Sequence, residues 1–118
     1  MKIFLSFLLV VSAFLSFQSC NKDQTPIQAI NPSECLDTIK FSTQIMPMVQ
    51  NACLGCHDSG GTSPTLNNHA AIVQSANSIL LSIKAEGGKK LMPDGGPALA
   101  DSLIKQFSCW MVQGLLNN

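Results

Sequence analysis

The chain has 118 residues, a single-domain length, and carries seven lysines, no arginine and seven acids. So even a balance provides no basic face, and neither nucleic acid nor an anionic membrane surface is expected as a partner. No acid-base pair and no activated nucleophile stands out either, so the sequence points away from substrate chemistry by side chains alone.

The first element is a leader. Met1 and Lys2 give a short positive start, and residues 3–17, "IFLSFLLVVSAFLSF", form an apolar run relieved only by serines. Spanning a bilayer takes about 20 uninterrupted apolar residues, so this shorter run reads as a signal peptide over residues 1–19. Ser19 and Cys20 follow, then the polar "NKDQTP". That junction resembles the lipobox of bacterial lipoproteins, although Phe17 stands where Leu is commoner and Gln18 is bulkier than usual. The resemblance implies that Cys20 becomes a lipidated first residue, so that the mature chain is exported and held on a membrane facing the periplasm. A plain secretory signal with an incidental cysteine is the alternative. Asn21, in place of the aspartate associated with inner-membrane retention, leans toward the outer membrane.

Residues 20–40 are polar, carry Pro26 and Pro32 and show no sustained period; they read as a tether and an extended lead-in. A folded domain is expected over residues 41–118. Ser42 is a candidate cap for a first helix with Ile45, Met48, Val49 and Ala52 at helical spacing, and Pro47 calls for a late start or a kink. "NACLGCH" closes that segment, and "DSGGTSPTLNN" is a loop by composition. "HAAIVQSA" and "SILLSIKAE" read as two short helices bent or broken near Asn77, with Gly87 and Gly88 as the stop. A second irregular loop, "KKLMPDGGPAL", precedes a closing helix with Leu103, Ile104, Phe107, Trp110 and Met111 on one face and Asp101 at its start as cap and dipole partner. No stretch alternates with period two. The fold class is all-α, three or four short helices with a thin core that a large apolar cofactor would fill.

Five cysteines are present. Export favours disulfides over idle thiols. If Cys20 carries lipid and Cys53 with Cys56 form one functional pair, Cys35 and Cys109 remain, one near each end of the domain. A bridge between them would tie the termini together; two buried free thiols are the alternative.

Three chemistries compete for "CLGCH". Structural zinc wants four ligands in two clusters, and only Cys53, Cys56 and His57 are close in sequence. A redox dithiol sits where a strand meets a helix, and here a helical segment precedes Cys53. Covalent haem accounts for every element: two cysteines three apart on a helical turn reach two vinyl groups on one side of a porphyrin, and His57 follows as the proximal iron ligand. Gly55 leaves room at the ring edge. Met92, in the irregular loop before the last helix, is the candidate second axial ligand, its soft thioether suited to ferrous iron. Met46, Met48 and Met111 sit at helical spacings expected of core, and a lone His69 is expected to be solvated.

From Phe41 to about Asn118 the chain resembles the monohaem class I cytochromes c, in particular small members of the bacterial envelope. The matching pieces are "FSTQIMPMVQNACLGCH", Leu66 with the short helix after it, "MPDGGPALADSL" and "IKQFSCWMVQGLLNN". The resemblance implies one haem c with thioethers at Cys53 and Cys56, iron ligands His57 and Met92, Trp110 packed near the haem or first helix, and a Cys35–Cys109 disulfide as in relatives with similar ends. It implies an electron-transfer protein, not an enzyme, a monomer with redox proteins of the envelope electron-transfer chain as partners. A haem peroxidase or gas sensor with an open distal position is the alternative. Two positions depart from the family pattern: Ala100 stands where Ser or Thr commonly caps the last helix, and with no arginine a haem propionate would fall to Lys89 or Lys90, which are equally read as solvated loop charges.

Overall fold

The structure, a computed structural model, describes residues 31–118. The apolar leader, Cys20 and the tether up to residue 30 lie outside the described residues. Within them the chain forms four α-helices and no strand: α1 Met46–Ala52, α2 Leu54–His57, α3 His69–Lys84 and α4 Asp101–Val112. A 3-10 turn, Pro32–Glu34, precedes them. The all-α expectation holds at this level. No helix among the described residues is long and apolar enough to cross a membrane.

Pro47 shapes the first helical segment. A proline has no N–H and crowds the carbonyl four residues back. The chain meets this with a π-helical turn over Phe41–Ile45, in which the N–H groups of Ile45 and Met46 reach back five residues to Lys40 and Phe41, so that Pro47 falls in the first turn of α1. Ser42, expected as the cap, lies inside that turn, and its N–H donates to the Asn118 carbonyl. The Gln44 side chain does the capping work instead, accepting from the Lys40 N–H at 2.7 Å.

The expected break near Asn77 does not occur. Asn77 is exposed, and Ile72, Ala76, Ile79, Leu80 and Ile83 are buried along one side of a continuous α3, so apolar packing carries the helix past a polar residue that faces water. Asn68 caps its start by accepting from the Ala71 N–H at 3.0 Å. The helix ends before the glycines: Ala85 adopts a left-handed conformation (φ 53°), and the Glu86 N–H returns to the Leu81 carbonyl, a Schellman closure.

α4 packs against both the π-helical turn and α3. Phe107 and Trp110 are fully buried, while Leu103, Ile104 and Met111 border the core, as its apolar face led one to expect. Asp101 lies in the first turn, where its charge complements the helix dipole, but it makes no cap; Ala100 occupies the cap position without a side-chain hydrogen bond. Ile45, Val49 and Ile72 complete the fully buried set, with Leu66 reaching in from the first loop.

Candidate functional site

The site is built at the C-terminal end of α1. The Cys53 N–H continues that helix to the Val49 carbonyl, and the Cys53 carbonyl accepts from both Cys56 and His57, so one short turn carries all three side chains. Cys53 and Cys56 are free thiols, in contrast to Cys35 and Cys109, which are bonded to each other. Cys53 is half-buried and burial pushes its thiol pKa up, whereas Cys56 is exposed.

The loop after the motif orients the imidazole. Nδ1 of His57 lies 2.9 Å from the Pro64 carbonyl and 3.1 Å from that of Thr62. Carbonyl oxygens only accept, so Nδ1 carries a proton, and in the neutral ring the lone pair is on Nε2. Fixing one ring nitrogen in this way is how proteins present the other to a metal. The loop is held in turn by Thr62 N–H to the Cys56 carbonyl and Leu66 N–H to the His57 carbonyl, both 2.7 Å, with the buried Leu66 side chain as anchor. Gly61 is required here for space: a Cβ would collide with the Cys56 carbonyl. Around Gly55 there is open space.

Composition identified "DSGGTSPTLNN" only as a loop; the contribution of the Thr62 and Pro64 carbonyls was not legible, because main-chain acceptors have no sequence signature. Gly61 was the one available signal.

Met92 is half-buried in the loop between α3 and α4, tied at its N–H to the Ser82 carbonyl at 3.1 Å. Pro93 and Gly96 form a turn just beyond it. Lys90 is paired with Asp94 at 2.7 Å, both exposed, a contact of little energetic weight; Lys89 is also exposed. Met48 is core, and Met46 and Met111 border it. His69 departs from its expected solvation. It is the first residue of α3, its ring stands edge-on to Phe41 (centroids 4.7 Å apart) and Trp110 (5.9 Å), and Nε2 donates to the Leu115 carbonyl at 2.8 Å.

A cleft of about 430 Å³ opens between α4 and the first helical segment, lined by Met48, Ala52, Leu99 and Leu103 among other uncharged residues, and its wall ends at the residue before Cys53. Among the described residues no three His, Cys, Asp or Glu side chains gather as a metal cluster would require. No protein-family model, curated protein or solved structure matches the chain.

Proposed function

We propose that this chain is a lipid-anchored cytochrome c of the small class I fold, which wraps one haem c and passes single electrons between proteins of the bacterial cell envelope. The observation that carries the reading is the turn at Cys53–His57: two free thiols beside an imidazole whose Nδ1 is held by two carbonyls and whose Nε2 is left as a donor. That donor set fits haem c. Cys53 and Cys56 would hold it through thioethers, His57 would ligate from one side, and Met92 would ligate from the other. The uncharged cleft beside Ala52 offers apolar surface for a porphyrin edge. When bound, haem supplies a reversible one-electron couple.

The residues then orient and insulate. His57 is kept in one tautomer by Thr62 and Pro64, and the loop from Ala85 to Ala100 holds Met92 between two helices. If His57 and Met92 both held the haem, they would leave no open position on it for a substrate. Zinc would need further donors, and the described residues bring none to this turn.

The test is a spectrum of the exported protein. A haem stain that survives denaturation, a low-spin ferric spectrum and a weak far-red sulfur-to-iron band are expected, and Met92→Ala should abolish that band. Absence of covalent haem overturns the reading. A high-spin ferric iron that binds cyanide or carbon monoxide quickly would replace it with the peroxidase or sensor alternative.

A further inference from the structure

The end of the domain remote from the thiols is built from both termini of the described chain. Cys35 is disulfide-bonded to Cys109. Gln113 accepts from the Ile39 N–H and donates to the Asp37 carbonyl, both at 2.8 Å, and Asn118 accepts from the Phe41 N–H at 2.8 Å. These bonds form a clasp. Four large hydrophobic residues are exposed among those described, and three of them belong to it: Leu36 (89% exposed), Val112 (42%) and Leu116 (45%).

Their grouping follows from the bonds. Leu36 is flanked by Cys35, bonded to Cys109, and by Asp37, bonded to Gln113, so it lies beside the last turn of α4 that presents Val112. The Leu116 carbonyl accepts from Trp110 Nε1 at 2.9 Å, which folds the C-terminal residues back onto the same turn. Residues 106–118 contain no charged side chain, and the acids Glu34 and Asp37 stand exposed beside Leu36. An apolar patch bordered by these two acids and by the exposed Lys40 suits a zwitterionic surface and carries no requirement for an anionic one.

We infer that Leu36, Val112 and Leu116 rest this end of the domain on a zwitterionic lipid surface. The inference builds on the anchoring part of the proposed function and is independent of the haem. The occupant follows from where the chain enters: the tether joins the domain at the clasp, and the 15 residues from Cys20 to Cys35 span at most about 50 Å when fully extended. A lipid on Cys20 therefore keeps this end, before any other, near the bilayer. Phe41 sits at the clasp and Cys53 follows the far end of α1, a separation of about 18 Å along a helical segment rising roughly 1.5 Å per residue. Seating the clasp on lipid turns the Cys53–His57 end away from the membrane, toward soluble partners.

Amide hydrogen exchange of the exported chain, with and without excess phosphatidylcholine vesicles, tests this, and the mass of the N-terminal peptide reads lipidation separately. Exchange in residues 33–38 and 112–118 should slow roughly tenfold on the vesicles, equally with added phosphatidylglycerol, and the double variant Leu36→Asn/Leu116→Asn should lose the effect. The inference is overturned by no slowing, by slowing at Leu54–His57 instead, or by a requirement for anionic lipid. It is also overturned by slowing without vesicles, whether it disappears when residues 21–30 are deleted or grows with protein concentration; these results assign the patch to the tether or to a second copy. An unmodified Cys20 defeats the anchoring reading alone, because the vesicles still report on the patch.

Discussion

The two ends of the first helical segment, from the π-helical turn at Phe41 to the end of α1 at Ala52, are held by different means. At the Phe41 end the chain closes on itself: a disulfide, side-chain clamps from Gln113 and Asn118, and the rings of Phe41, His69 and Trp110 all join the lead-in to the closing helix. At the Cys53 end, two thiols are left unbonded, Cys56 is exposed, and a loop curls round one imidazole by main-chain hydrogen bonds. Covalent and apolar contacts hold the first end without any further group. The second is ordered by main-chain bonds around His57, so the covalent brace and the unbonded thiols stand at opposite ends of one helical segment.

Cutting the clasp is the most direct way to break this comparison. The disulfide closes a separation of 74 residues, for which the chain-entropy account gives about 4 to 5 kcal/mol. Cys35→Ser with Cys109→Ser should lower stability by about that much in thermal unfolding, while His57 keeps its ring orientation in NMR spectra of the remaining folded fraction. Trp110→Ala comes next. It empties a fully buried site and orphans the Leu116 carbonyl, a loss of about 3 to 5 kcal/mol readable in denaturant unfolding.

A change at the other end should act in the opposite proportion. Gly61→Ala drives a Cβ into the Cys56 carbonyl and should cost about 1 to 3 kcal/mol. Its distinguishing effect is on His57, whose ring resonances should broaden as the Thr62 and Pro64 carbonyls shift away from Nδ1.

The smallest effect concerns the thiols in chain that carries no thioethers. Burial raises the Cys53 pKa above 9.0, so the unfolded state gives up this proton first as pH increases. The stability associated with the neutral buried thiol is complete below the unfolded pKa and is lost as pH rises through the folded one. Unfolding of the wild type should therefore ease above about pH 9 more than that of Cys53→Ser. At lower pH, alkylation should mark exposed Cys56 before Cys53.

How much of this was legible in the sequence differs between particular residues. "CLGCH" declared a donor set through residue type and spacing, and the apolar positions of α4 declared their buried face, because both are local chemistry repeated at helical intervals. The continuous course of α3 past Asn77 was not legible, since propensity is weak and packing by Ile72, Ile79 and Ile83 outweighs it. Gln113 and Asn118 looked like ordinary polar residues near a helix end. Their roles exist only because folding brings main-chain groups more than 70 positions away within 3 Å.

The sequence by itself therefore determined the helical class, the reactive triplet and the cysteines available for a bridge, all of them properties of residue identity and short spacing. The tertiary structure alone decided which nitrogen of His57 is held, which residues close the domain, and that Leu36, Val112 and Leu116 stay exposed. Those depend on carbonyls and termini approaching through space, and a linear pattern holds no record of such approaches.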